Sequence, residues 1–335
     1  MYYNTAGNWL AASLATAVMA CLLSPSAMAA SETKLYGCTV ITEPGNYLLA
    51  TDIVVDQTCP SSDIPEGFVG IQIAASDVHV NLGGHTIYGD PAGYGDGFAR
   101  GLDTTGDVQV NVRVTNGSVD GLGAFGDGIY IQRVKGAKVT NVESRGNQRF
   151  GMGIVSCEAC EVTASRFYEN GNAGIQTVLS PRDIDEDGVI DGPVRIVNND
   201  FIDNPNSNGL TIGVLPGPHE VIGNRFIGNG RGIGEFLAFI PAGHLIQSNR
   251  VEGNLFGGIS ISSVGGTTIR ANHVLENGGD GIAVSSSGNL IQANQSNGNS
   301  SFDLADFTAE CDNTWKANSF ETDSEGDGAR SGCIR

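Results

Sequence analysis

One feature of this chain limits its fold more than any other: a repeat marked by asparagine. Asn147, Asn170, Asn204, Asn229, Asn254, Asn277 and Asn299 follow one another at steps of 23, 34, 25, 25, 23 and 22 residues. From Asn170 onward each is preceded, five positions earlier, by Ser165, Asn199, Asn224, Asn249, Asn272 or Asn294. Three residues before those stand Val162, Ile196, Val221, Ile246, Ile269 and Ile291. Two after them come Phe167, Phe201, Phe226, Val251, Val274 and finally Ser296. A glycine and an alternating run close most units, as in Gly209-Leu210-Thr211-Ile212 and Gly258-Ile259-Ser260-Ile261. Units of this size cannot bury their own apolar faces, so they must stack. Stacked turns of chain lie about 4.8 Å apart, as neighbouring strands do. Leucine-rich repeats have similar lengths, but their leucine spacing is missing here. The asparagines are expected at sharp corners, where Asn tolerates the left-handed conformation. Their amides should bond from coil to coil as a ladder. A row of exposed amides open to sugars is the alternative.

The ends read differently. Residues 9–23 are apolar and run into Ser24-Pro25-Ser26-Ala27-Met28-Ala29-Ala30, which reads as a secretory signal peptide over residues 1–30. Val18-Met19-Ala20-Cys21 offers a looser lipoprotein reading. No other apolar run is long enough to span a membrane. Six cysteines remain beyond the signal, and they fall into the local pairs Cys38/Cys59, Cys157/Cys160 and Cys311/Cys333. An exported chain with an even cysteine count points to disulfides. A redox or zinc role for Cys157-Glu158-Ala159-Cys160 is the competing reading, though no second CxxC accompanies it. Acidic residues outnumber basic ones 37 to 18, for a formal charge of −19. That balance excludes nucleic acid and anionic membranes as partners.

The chain resembles the right-handed parallel β-helix proteins, which include pectate lyases, alginate epimerases and NosD-type periplasmic proteins. The likeness covers roughly residues 35–335. It rests on the repeat and on an opening of Cys38, Pro44-Gly45-Asn46-Tyr47-Leu48-Leu49 and Asp77 through Gly83-Gly84-His85-Thr86-Ile87. The tail adds Cys311-Asp312-Asn313-Thr314-Trp315, Asn318, Phe320 and Cys333. The resemblance implies an all-β fold, a single-stranded right-handed parallel β-helix of about nine coils. Its caps would be residues 31–68 and 302–335, with the coils over 69–301. One scaffold of this kind carries many chemistries. Tyr88-Gly89-Asp90-Pro91 is similar to an alginate-epimerase signature, but Ala92 and Gly93 follow where a His is expected. Copper handling of the NosD kind lacks support, since Met152 is the sole methionine past the signal and the histidines are scattered.

The 34-residue step contains ten extra residues, Asp183-Ile184-Asp185-Glu186-Asp187-Gly188-Val189-Ile190-Asp191-Gly192. Aspartates at positions 1, 3 and 5 with a following glycine suit a calcium loop. Asp183, Asp185, Asp187 and Asp191 would give carboxylates and Val189 its carbonyl. Position 12 is Val194, so the full EF-hand pattern is not met. A structural Ca²⁺ is the preferred reading, and a solvated acidic loop is the alternative.

Alternation along each strand predicts an outward row: Gln72, Asp103, Tyr130, Gly153, Gln176, Thr211, Gly234, Ser260 and Ala283. From Gly153 onward that row holds no acid, base or aromatic group. Chemistry is therefore sought in the early coils. Asp103 and Asp127 are candidate acid/base or cation-binding groups. Arg100 and Arg149 are candidates for a sugar carboxylate, and Tyr130 for stacking or proton transfer. A surface salt-bridge network is the competing reading. The function expected is an exported, periplasmic or extracellular monomer that binds a polysaccharide. If it cleaves that polymer, the activity is a lyase's or a glycoside hydrolase's. A noncatalytic, calcium-stabilised surface or adhesion protein is the alternative.

Overall fold

Inward aliphatics and paired backbones organise the chain into stacked coils, as the computed structural model shows. It describes residues 32–60, 68–90, 100–103, 108–123, 126–184, 189–213, 217–236, 243–262, 265–308, 311–324 and 332–334. The expected signal peptide and loop residues Asp185 and Asp187 lie outside the described residues. Residues 32–335 form one unit, and no α-helix occurs among those described.

Each full coil lays down three short strands, all paired in parallel with the coils above and below. One strand per coil builds an eleven-stranded sheet running from Thr39–Ile41 to Leu304–Asp306. The other two build a twenty-stranded sheet. Its two runs fuse at Arg113–Asp120 and Lys138–Arg145, which are long enough to serve both. Nine strands of the smaller sheet fall within residues 69–301, and each flanking region adds one more.

The repeat superimposes residue for residue. Val162, Ile196, Val221, Ile246, Ile269 and Ile291 are successive register partners. So are Phe167, Phe201, Phe226, Val251, Val274 and Ser296. The three phenylalanines are fully buried and stacked, with centroids 5.4 and 4.6 Å apart. Glycine is required beside this stack. A Cβ on Gly174 would lie 2.7 Å from the Phe201 ring, and one on Gly209 would lie 2.7 Å from Phe226.

Two asparagine columns run through the interior. In the first, each side-chain N–H donates to the carbonyl oxygen of the next amide, from Asn147 through Asn170, Asn204, Asn229, Asn254 and Asn277 to Asn299, at 2.8–3.1 Å. That oxygen also accepts the backbone N–H of the previous asparagine, as Asn277 does from Asn254 at 3.1 Å. The second N–H of Asn254 reaches the Phe226 carbonyl at 3.1 Å, so both donors and both lone pairs are used. The second column joins Asn199, Asn224, Asn249, Asn272, Asn294 and Asn318 at 2.9–3.1 Å.

One expectation is corrected here. The ladder asparagines do not occupy the left-handed corners; the residue before each one does. Glu169, Asp203 and Glu276 have φ of 54°, 50° and 53°, while Gly228 and Gly253 have 67° and 60°. The turning residue tolerates several identities because its side chain faces outward. The buried position behind it admits an amide, which alone supplies two donors and an acceptor in line. Since the ladder is buried, the exposed-amide reading is excluded.

The first column ends on a carboxylate. Asp303 accepts the Asn299 amide at 2.8 Å and its backbone N–H at 3.1 Å. On its other oxygen it accepts the Glu321 and Thr322 backbone N–H groups, each at 3.0 Å. Burial pushes its carboxyl up, but these hydrogen bonds outweigh that and hold it below the usual carboxylate range. Disulfides join Cys38 to Cys59, Cys157 to Cys160 and Cys311 to Cys333, as the local scheme expects.

Asn254→Ala should lower unfolding free energy by about 3 kcal/mol, because it strands several buried polar groups at about 1–3 kcal/mol each. Urea unfolding monitored by circular dichroism measures this, and an unchanged midpoint would show that the ladder does not stabilise the stack.

Candidate functional site

The outward row expected from alternation forms one line across the eleven-stranded sheet. Register pairs Gln72 with Asp103, Asp103 with Tyr130, Tyr130 with Gly153 and Gly153 with Gln176. The line continues through Thr211, Gly234, Ser260 and Ala283. Beyond Tyr130 it offers two glycines, an amide, two hydroxyls and a methyl group.

Asp127 opens the strand Asp127–Gln132. The next residue, Gly128, faces inward, because a Cβ there would collide with Ser144 and the Gly151 carbonyl. Asp127 thus belongs to the outward face, yet it is fully buried. Its Oδ2 lies 3.4 Å from Arg149 Nη1, and its Oδ1 accepts the Phe150 backbone N–H at 3.4 Å. The Arg149 guanidinium also sits 4.6 Å from the centroid of the Phe150 ring and is about one-third exposed, at 35%. Gly153 makes room beside this pair. A Cβ there would lie 2.8 Å from the Tyr130 ring and 3.6 Å from Asp127 Oδ2. Asp127, Tyr130 and Arg149 are therefore brought together. Arg100 and Asp103 pair through their backbones with Asp127 and Tyr130; their side chains lie outside the described residues. Sequence reasoning placed Asp127 at the surface, whereas the structure makes it a buried anchor for Arg149.

The acidic loop is organised by a residue that sequence reasoning passed over. Glu158 is fully buried between Cys157 and Cys160. One oxygen accepts the Asp191 backbone N–H at 2.6 Å and the other the Ile184 backbone N–H at 3.4 Å. A single carboxylate thus gathers both ends of the loop. The Asp191 side chain pairs with Lys135 at 2.5 Å, Asp183 is half-buried, and Val189 is exposed. Among the described residues, no three His, Cys, Asp or Glu side chains converge on a metal position. The signal for Glu158 was a charge inside a cysteine clip on the coil before the long step.

Two histidines that look scattered in sequence meet in the structure. His219 and His244 stand one coil apart with ring centroids 5.1 Å apart, both buried. His244 Nδ1 accepts the His219 backbone N–H at 3.1 Å, so its Nε2–H faces Glu235 Oε1 at 3.2 Å. His219 Nδ1 faces the Gly217 carbonyl at 2.9 Å, which leaves Nε2 to accept from Thr177 Oγ1 at 3.0 Å. Every ring nitrogen is engaged, so this pair is structural. Burial, reinforced by His244, pushes the His219 pKa down to about 3 against a weaker opposing pull from Gly217.

The match to known proteins agrees with this geometry. A family model described as the right-handed beta helix region matches residues 69–238, and the chain belongs to that family. Among solved structures it is similar to the A-module of the mannuronan C-5 epimerase AlgE6 of Azotobacter vinelandii, with 13% identity, a TM-score of 0.65, and coverage of 88% of this chain and 84% of that one. A mutant of the periplasmic alginate epimerase AlgG gives 14% identity, a TM-score of 0.58, and coverage of 78% and 72%. PfbA, a surface adhesin of Streptococcus pneumoniae, gives 12%, 0.52, and coverage of 79% and 72%. At these identities the likeness is one of fold. No curated protein matches the sequence. Among the described residues, no helix is long and apolar enough to cross a membrane.

The lowered His219 pKa sets a sign for acid sensitivity. The unfolded chain takes up a proton near the ordinary histidine value of about 6.5, whereas folded His219 stays neutral until about pH 3. Its stabilising contribution is complete above about pH 6.5 and drains away as pH falls toward 3. Urea midpoints taken between pH 7.5 and 4 should fall, and His219→Gln should flatten that slope; equal slopes would refute the assignment.

Proposed function

We propose that this is an exported β-helix protein that binds an extracellular or envelope polysaccharide across the early coils of its eleven-stranded sheet. The observation that carries this reading is the group around Gly153: an aromatic ring and a part-exposed guanidinium, the latter held by a buried carboxylate. A ring face packs against a pyranose, and a fixed arginine recognises a carboxylate or hydroxyl pair. Arg100 and Asp103 stand on the adjoining coil at the register positions of Asp127 and Tyr130. The epimerases among the similar folds act on a polysaccharide, which supports the substrate class. If the polymer is cleaved by lyase or hydrolase chemistry, the acid/base duty passes to Asp103 and Tyr130, since Asp127 is committed to Arg149. The three disulfides fit an exported protein.

A second reading, a noncatalytic and calcium-stabilised surface or adhesion protein, is favoured by the bland later coils and the engagement of Asp127. In either reading Ca²⁺ is assigned to the loop Asp183–Gly192, whose ends Glu158 gathers.

Screening uronate-containing and neutral polysaccharides for binding and for product separates the readings. Tyr130→Ala should weaken binding at least tenfold, and Asp103→Ala should abolish any product formed. Failure to bind any glycan would remove the first reading. For the loop, millimolar calcium should raise the melting temperature and a chelator should reverse it. An unchanged melting temperature with no bound ion would remove the metal.

A further inference from the structure

Three groups that can react with one another meet where the long step returns to the stack. Lys135 ends the short strand Val134–Lys135, and its bridge partner on the next coil is Glu158. On the coil after that, the Ala159 backbone N–H donates to the Gly192 carbonyl at 3.4 Å, which brings Asp191 to the same column. The Lys135 ammonium reaches past Glu158 to the Asp191 carboxylate at 2.5 Å. Glu158 is fully buried and holds Asp191 from behind, accepting its backbone N–H at 2.6 Å. Its own backbone is fixed as well, since its carbonyl accepts the Gly136 N–H at 2.8 Å.

This ion pair differs in kind from its neighbours. Arg145–Asp120, Arg166–Glu143, Arg195–Glu161 and Arg225–Asp200 all use a guanidinium, which does not give up its proton. The other lysine pair among the described residues, Lys138–Glu161, stands at 3.9 Å with the lysine side chain 51% exposed. The Lys135 side chain is 21% exposed, and a second carboxylate lies against its path.

We infer that Lys135 and Asp191 become joined by an amide bond, Nζ to Cγ, which the folded chain forms on itself. The ammonium passes one proton to Glu158, whose carboxylate keeps free lone pairs beside its two backbone hydrogen bonds. The amine then attacks Asp191 Cγ, and the C–N bond forms as one C–O bond breaks. The departing oxygen takes the proton from Glu158 and a second from the nitrogen, and leaves as water. One cation and one anion thereby become a neutral amide and water, with Glu158 ionised again and no co-reactant consumed. The Asp191 side chain is 45% exposed, which gives the water a way out. Groups held in place react with effective molarities of about 10⁵–10⁸ M, which favours the amide over its hydrolysis. The bond ties the long step to a strand two coils away. Asp191 keeps one oxygen as a donor, so the calcium assignment does not depend on it.

Tryptic digestion of the reduced and alkylated full chain, followed by mass spectrometry, tests this. Cleavage after Lys135 should be blocked, and residues 134–138 should appear joined to residues 183–195, lighter than the two peptides together by one water. Lys135→Arg keeps the charge and should give separate peptides. Asp191→Asn should yield the same branched peptide by losing ammonia instead of water. Glu158→Gln should slow joining about a hundredfold, within the range of general acid–base transfer. Separate, unmodified peptides from the wild-type chain would overturn the bond and leave an ion pair. A joined peptide in Lys135→Arg would overturn the assignment to Lys135, and undiminished joining in Glu158→Gln would overturn the proton transfer.

Discussion

The fold depends on hydrogen bonding by amides that never meet solvent. A coil of 22–25 residues has little interior, and each corner brings backbone N–H and C=O groups inward. Left unpaired, each would cost about 1–3 kcal/mol. One asparagine per corner answers this by bonding to the coil before, through its oxygen and one N–H, and to the coil after, through the other N–H. Stacked phenylalanines and aliphatics then fill what remains. The buried aliphatic and phenylalanine columns forbid a one-residue slip, which would turn them outward, and the ladder enforces the same register through hydrogen bonds. Because strand register decides which side chains face outward, the ladder also places Tyr130 beside Gly153.

Much of this was legible in the sequence, and the reasons are specific. Columns such as Val162 to Ile291 and Phe167 to Val274 keep their type because every coil meets the same neighbours. The outward row from Gln72 to Ala283 followed from a period of two once the glycines were aligned. Other features were hidden by the same regularity. The exchange of roles between Asn204 and Asp203 at a corner cannot be seen from composition, since Asn suits both a left-handed turn and a buried amide. Asp127 was read as part of a charged early-coil cluster, and a residue's type and place in the repeat do not reveal that it is buried beneath Arg149. Glu158 and the His219–His244 pair act through neighbours one coil away, separations that vary with loop length.

The two broad surfaces divide the labour. Outside the twenty-stranded sheet, charges alternate from coil to coil, as in Glu143, Arg166, Asp200 and Arg225. These exposed pairs contribute little individually. They also leave few cations free for a ligand there. The smaller sheet keeps a plain strip over its later coils and concentrates aromatic and cationic groups in the early ones.

The first asparagine column has a direction, because every side-chain amide passes its N–H toward the C-terminal neighbour and the last one gives it to Asp303. Duplicating or deleting an internal unit would preserve that order, since each new amide would receive from one side and give to the other. Nothing could be appended after Asp303 in the same way, because a carboxylate takes and has no proton to pass on. Length is thus open to evolutionary change within the stack, while a single anion marks where counting stops.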